Sequence, residues 1–411
     1  MATQIYTHIS GLMQAGTSGP FLRGKDLARL PVIKNAYVII EGDQIAAWGR
    51  MEDFPYPSRP NEVVAPGTFL LPAWCDSHTH LVFEGSREGE FVDRIKGKTY
   101  KEIAEQGGGI LQSVKMMEAA SEESLFIHAW KRLEEVGRLG TGAIEIKSGY
   151  GLSVEGEIKM LRVIKKLKEK SLLQIRATFL GAHAYPLKFR EDHEAYIQII
   201  LEEMLPIIER EGLADYIDVF CEEGFFSAEE MERICEEGKK RGLPPKLHVN
   251  QLHSIGGIEA GIRLGALSLD HLETLSDRDL ELLGKFSGCA TLLPSAAFFL
   301  GVNYPPARRM IEAGAAIALA SDFNPGSSPS GNMNLVLSLA CIQMKMTPEE
   351  AINAATFNGA IAMGLGEKLG SIDVGKQANL IFTKPIPSLA YLPYAFGSNM
   401  VDRVMLRGNI I

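Results

Sequence analysis

Two histidines one residue apart, His78 and His80, close an apolar run that begins at Leu70. On an extended strand, alternate side chains share a face, so the two imidazoles lie side by side. Neutral imidazole nitrogens can share a divalent cation at about 2.0–2.1 Å. Three more histidines, His183, His248 and His271, fall inside or just after other short apolar runs, and Asp322 follows the run Ala316–Ala320. Three histidines and a carboxylate make a nitrogen/oxygen set for zinc or iron, with water completing the shell. Water on such an ion loses a proton near neutral pH. A carboxylate such as Asp322 can take that proton and pass it to a departing nitrogen. The implied chemistry is hydrolysis of a carbon–nitrogen bond.

That chemistry needs elements that bring distant residues together. Short apolar runs alternate with amphipathic stretches, the rhythm of a parallel sheet with crossover helices. The predicted strands are Leu70–Cys75, Ala143–Ile146, Gln174–Leu180, Ile217–Cys221, Lys246–Val249, Ser268–Leu272, Ala290–Leu293 and Ala316–Ala320. Predicted helices include Glu157–Lys168, Tyr196–Glu209, Ala228–Lys240 and Asp277–Leu283. Eight such strands predict an α/β fold, a (β/α)8 barrel, in which the strand C-terminal ends surround one mouth. Five imidazoles and Asp322 would converge there. An open doubly wound sheet is the alternative, but no Gly-x-Gly-x-x-Gly opens a helix after the first strand. Gly107-Gly108-Gly109 reads as a flexible loop without phosphate-binding spacing. The long Val82–Gly142 insertion is the candidate to close over a substrate.

Both chain ends read as β. Ala36–Ile40 and Gln44–Trp48 flank Glu41-Gly42-Asp43, a hairpin signal, and a Pro-rich connection runs from Phe54 to Pro60. Ala378–Phe382 and Val401–Leu406 have the same character at the other end. The expected organisation is a small β-sandwich domain from residues 1–65 and 366–411, with the barrel spanning 66–365.

Of the 411 residues, 46% are hydrophobic and 23% charged, ordinary for a well-cored protein, and the net charge of −9 argues against nucleic acid. The basic run Lys165–Lys170 reads as a solvated helix face. The five cysteines are scattered without a Cys-x-x-Cys, which favours reduced thiols. The first residues lack the pattern of a secretory leader, and no apolar run has membrane-spanning length. A cytoplasmic protein with no membrane partner is expected.

The motifs together resemble the imidazolonepropionase family of the amidohydrolase superfamily. They are Asp76-Ser-His-Thr-His-Leu-Val-Phe, Gly107-Gly-Gly-Ile, Ile144-Glu-Ile-Lys-Ser-Gly-Tyr-Gly, Phe179-Leu-Gly-Ala-His-Ala, Val219-Phe-Cys-Glu, Lys246-Leu-His, Asp270-His-Leu-Glu and Ser321-Asp-Phe-Asn-Pro-Gly-Ser-Ser-Pro. The resemblance implies opening of the cyclic amide of 4-imidazolone-5-propanoate to N-formimidoyl-L-glutamate, in L-histidine degradation. It implies one metal ion per subunit, zinc or iron, on His78, His80, His248 and Asp322, and a homodimer. Arg87 would meet the propanoate of this small anionic heterocycle. Tyr150 and His183 would border the ring, Gln251 would lie close by, and Asn324, Gly326 and Ser327 would bind further polar groups. Asp322 would carry the proton, with His271 positioning the water or stabilising the oxyanion.

Physical reasons accompany these roles. Arg87 offers a planar fork for a carboxylate. Tyr150 sits among glycines that let backbone approach a ligand. His183 could donate a hydrogen bond to the attacked carbonyl. Gln251 occupies a position where several deaminase relatives carry a glutamate, and an amide cannot shuttle protons. Lys147, where some amidohydrolases carry a metal-bridging carbamate, is expected instead to pair with Glu145 or another acid. Glu222 and Glu223 have no assigned role. Two rival functions stay open at this stage. A deaminase would release ammonia, and a catalytically silent scaffold need hold no metal.

Overall fold

The computed structural model describes residues 3–55, 62–64, 66–98, 102 and 108–411. Gly107 and the 56–60 part of the Pro-rich connection lie outside the described residues. In chain order the first strands are β1 (Thr3–Met13), β2 (Val32–Glu41), β3 (Gln44–Arg50), β4 (Glu62–Val63) and β5 (Phe69–Pro72). Next come β6 (Trp74–Asp76), β7 (Thr141–Lys147), β8 (Gln174–Ala182), β9 (Tyr216–Cys221), β10 (Lys246–Val249), β11 (Ser268–His271), β12 (Cys289–Leu292) and β13 (Ile317–Leu319). The last are β14 (Leu380–Thr383), β15 (Val401–Leu406) and β16 (Asn409–Ile410).

Strands from both chain ends form one sheet, ordered β16-β15-β14-β5-β1-β2-β3, with β4 beside β1. Its β2–β3 hairpin turns at Gly42, whose φ of +64° suits the missing Cβ. The sheet has its own apolar core of Ile9, Leu12, Val38, Ile40, Leu70, Leu380 and Phe382. The run Leu70–Cys75, expected as one barrel strand, is divided at Ala73. Before it, β5 pairs with β1 and β14; after it, β6 starts the barrel. Side-chain alternation explains why one run serves both: Leu70 packs into the terminal core and Leu71 into the barrel core.

The barrel strands β6 to β13 are parallel and follow sequence order. The first and last meet just beyond their ends. There Thr79 bridges Phe323, His80 N–H donates to the Phe323 carbonyl (2.9 Å), and Asp322 N–H donates to the His78 carbonyl (3.0 Å). Asp76 pins the same seam by accepting from Ser321 N–H (2.9 Å) and Oγ (2.5 Å).

Helices form where caps and apolar stripes agree. Ala228–Lys240 begins at Ser227, which shares a reciprocal capping box with Glu230; Asp277–Lys285 begins at Ser276, paired likewise with Asp279. The predicted helix Tyr196–Glu209 is interrupted by a π turn at Ile200–Met204. Pro206 lacks the N–H that would complete the regular ladder there. The basic run lies on Val154–Lys170, where Lys166 pairs with Glu122 and Lys168 with Asp215, so it is an exposed face tied to its neighbours. The 82–142 insertion is largely helical, containing Glu88–Ile95, Ile110–Ala119 and Glu122–Arg138. No helix among the described residues is long and apolar enough to cross a membrane.

The turn after β7 presses directly on the following helix. Glu157 accepts N–H bonds from Gly149, Gly151 and Leu152 at 2.7–3.0 Å, and a Cβ on Gly151 would strike the Gly156–Glu157 backbone. Gly151→Ala is therefore expected to cost about 1–3 kcal/mol. A lower urea midpoint at unchanged slope checks it.

Candidate active site

Extended backbone beyond β6 sets His78 and His80 on one side, their ring centroids 5.4 Å apart. β10 delivers His248, 4.4 Å from the His78 ring and 5.4 Å from that of His80. From β13, Asp322 extends Oδ1 to 3.6 Å from His78 Nε2 and 3.7 Å from His80 Nε2. Asp322 adopts a left-handed φ of +54°, held by Asn324 Nδ2 donating to its carbonyl at 2.6 Å. All four residues are at most 3% exposed.

The rings are oriented from behind. His78 Nδ1 lies 2.7 Å from Asp270 Oδ2, and His248 Nδ1 lies 2.7 Å from Asp218 Oδ2. A carboxylate there accepts a hydrogen bond from Nδ1–H, which fixes the tautomer and leaves the Nε2 lone pair facing the cluster. His78 Nε2 is buried with no hydrogen-bond partner among the described residues, and His248 Nε2 faces His80 Nε2 at 3.4 Å. Burial, then neighbouring Lys147, holds His78 and His248 well below the usual imidazole range; burial and His183 do the same to His80. Donor atoms of His78, His80 and Asp322 cluster closely, as do those of His78, His248 and His271. These imidazoles beside a carboxylate, with His78 Nε2 orphaned, fit a metal ion.

Beneath the rings, Lys147 Nζ lies 2.8 Å from Asp218, 2.9 Å from Glu145 and 3.4 Å from Asp270. Lys246 Nζ lies 3.0 Å from the other oxygen of Glu145. Burial opposes the Lys147 charge, but Asp218, Glu145 and Asp270 outweigh it and hold the ammonium above its ordinary range. Lys147 is thus the inward ion-paired lysine expected from its position.

His271 ends β11 at φ +84°, its ring 5.2 Å from that of His248 and its Nδ1 3.4 Å from Glu273. Burial disfavours its charge, yet Glu273, Asp322 and Asp270 raise it above the usual range, so it can donate a hydrogen bond. His183 stacks on His80 at 5.3 Å, with Tyr150 5.6 Å away. Burial lowers His183 to about 4, so its ring is neutral. Its Nδ1 lies 3.0 Å from the Gly149 carbonyl, which can only accept, so Nε2 presents a lone pair. This differs from the expected donation to a substrate carbonyl.

The turn after Asp322 also differs from expectation. Asn324 Oδ1 accepts from Gly326 N–H and Ser327 N–H (2.8 Å each), while Nδ2 donates to the Asp322 carbonyl and to Ser327 Oγ. Ser327 Oγ in turn donates to Asp322 Oδ2 at 3.3 Å. Asn324 and Ser327 are therefore committed to holding Asp322. Arg87 leads into the helix Glu88–Ile95 and forks onto Glu90, and a Cβ on Gly326 would collide with its Nη1. Gln251 is half-buried and makes no side-chain hydrogen bond among the described residues. Glu222 braces the loop after β10, accepting from Leu252 N–H, His253 N–H and His253 Nδ1, and Glu223 is exposed 3.7 Å from His253.

Residues 69–411 match the Amidohydrolase family. The chain is 57% identical to the imidazolonepropionase of Flavobacterium johnsoniae over 96% of both chains, and 52% identical to that of Christiangramia forsetii over the full length of both. This chain belongs to the imidazolonepropionase family. The fold is also that of E. coli guanine deaminase (TM-score 0.70, 13% identity, 100% of this chain and 99% of that one). It is likewise similar to a Xanthomonas campestris adenosine deaminase (TM-score 0.69, 18% identity, 97% and 92%).

Three acids of this imidazolonepropionase-family site went unread in the sequence: Asp218, Asp270 and Asp76. Each is a carboxylate buried in a barrel strand, where a buried cation, an imidazole or a seam offsets its burial. Removing the shared cation should expose that dependence. Lys147→Met is expected to cost about 3–5 kcal/mol by leaving buried carboxylates uncompensated, as read from denaturant unfolding.

Proposed function

We propose that this chain hydrolyses 4-imidazolone-5-propanoate to N-formimidoyl-L-glutamate, a step of L-histidine degradation. The observation carrying this is identity of 52–57% to imidazolonepropionases over nearly the whole chain. Support from chemistry comes from the imidazole–carboxylate set and the arginine beside it. His78, His80, His248 and Asp322 Oδ1 would hold one ion, and zinc and iron both suit this nitrogen/oxygen set. When bound, the ion supplies an acidified water and polarises the ring carbonyl.

The residues divide the remaining work. Asp322 Oδ2, steadied by Ser327, takes a proton as the water oxygen bonds to the carbonyl carbon. The ring carbon–nitrogen bond then breaks, and Asp322 returns the proton to the departing nitrogen. One positioned carboxyl can serve as base and then, once protonated, as acid. His271 donates toward the water or the developing oxyanion. The His183 lone pair accepts from a substrate ring N–H, with Tyr150 beside it. Arg87 pairs with the propanoate, and Gln251 takes no part in proton transfer. The same family resemblance supports a homodimer acting in the cytoplasm.

Loss of imidazolone absorbance, without release of ammonia, tests the reading. Activity should fall on chelation and return with Zn²⁺ or iron; activity indifferent to chelator would refute the ion's role. Asp322→Asn should lower kcat by about 10²–10⁴-fold. Arg87→Ala should raise KM by about 10- to 100-fold with a smaller change in kcat, the expected loss of hydrogen bonds to a charged group.

A further inference from the structure

We propose that Glu90 is the positioning residue that tunes this site to a single carboxylate, by holding one edge of Arg87 and leaving the other for the ligand. The proposal rests on the reading that Arg87 receives the substrate carboxylate. Glu90 Oε1 accepts from Arg87 Nε at 3.0 Å, and Oε2 accepts from Nη2 at 2.7 Å. Such a two-bond fork fixes the plane of the guanidinium as well as its place. Both side chains are only 11% exposed, so this is not the loosely held surface pair that contributes little.

Glu90 has a second anchor. Its Oε1 also accepts the Gly109 N–H at 2.9 Å, at the start of the helix Ile110–Ala119. The carboxylate therefore joins two helices of the insertion and sets the guanidinium against both. With Nε and one edge of Nη2 engaged, Nη1 is the free end. It lies against Gly326, in the turn that carries Asp322, where any Cβ would displace it. The charge of Arg87 also acts on Tyr150 and His183, the side chains beside the ion-binding histidines.

Charge balance narrows the ligand class. Arg94 lies next to this pair: its Nη2 donates to the Gly326 carbonyl at 3.3 Å, and its guanidinium rests 4.8 Å from the Phe299 ring centre. Two guanidiniums and one carboxylate leave one positive charge, which matches a monocarboxylate tail better than a dianionic phosphate. Among the described residues, Glu90 is the acid shown to act on both arginines.

The test is a kinetic cycle on the metal-loaded enzyme with Arg87→Ala, Glu90→Ala, Glu90→Gln and the Arg87→Ala/Glu90→Ala double variant. Imidazole-4-propanoate and its uncharged amide serve as competitive inhibitors. Glu90→Ala should raise KM about 10- to 100-fold, the scale of lost charged hydrogen bonds, with kcat within about threefold. Inhibition by the carboxylate should weaken in parallel, and inhibition by the amide should not change. Glu90→Gln should fall between, and Glu90→Ala should add nothing in the Arg87→Ala background. A lower KM would mean that Glu90 merely competes for Arg87, and the proposal would fall. Additive effects, or equal weakening of both inhibitors, would also overturn it. If Arg87→Ala raises KM and Glu90→Ala does not, this inference alone fails; if Arg87→Ala leaves KM unchanged, the underlying reading fails with it.

Discussion

Charge compensation at the centre of the barrel is the constraint on which the rest depends. Asp218 and Asp270 are needed behind His248 and His78, yet two carboxylates cannot be buried together without a cation. Lys147 supplies it from β7, and Glu145 on the same strand links that lysine to Lys246 on β10. Charged groups from β7, β9, β10 and β11 thus form one connected body. That body orients the two imidazoles, and its lysine helps keep them neutral, which is the state a ligand nitrogen requires.

A second constraint acts at the seam. The histidine pair after β6 and the aspartate after β13 are nearly the whole barrel apart in sequence, and they become neighbours only because the sheet closes. The closing bonds run through the backbones of these same residues, from Asp322 N–H to the His78 carbonyl and from His80 N–H to the Phe323 carbonyl. Left-handed backbone at Asn250, His271, Leu272 and Asp322 collects at the C-terminal ends of β10, β11 and β13. Such conformations are costly for side chains other than glycine and persist where surrounding bonds enforce them. Asn324 and Ser327 supply those bonds for Asp322.

The two sides of the site are built differently. The ion side is a rigid interior of strands and paired charges. The side proposed to meet the substrate is made of turns and helix ends: Gly149 to Gly151, the Asn324–Ser327 turn, and Arg87 with Glu90. Glycines recur on that side because an imidazole, a guanidinium or another backbone approaches where a Cβ would stand.

Sequence alone determined the period of the elements and the residue types at strand ends. Lys246–Val249 and Ala228–Lys240 could be read to the residue because apolar spacing and capping residues are local signals. His78, His80, His248 and Asp322 stood out because a polar residue closing an apolar strand is conspicuous. Tertiary structure decided what those signals cannot carry. It divided Leu70–Cys75 between two sheets, turned Asn324 inward to hold Asp322, made the His183 Nε2 an acceptor, and gave Asp218, Asp270 and Lys147 to one another. Each of these depends on which distant group arrives as partner. A hydrogen bond or ion pair is chosen by distance in space, and separation along the chain records none of it.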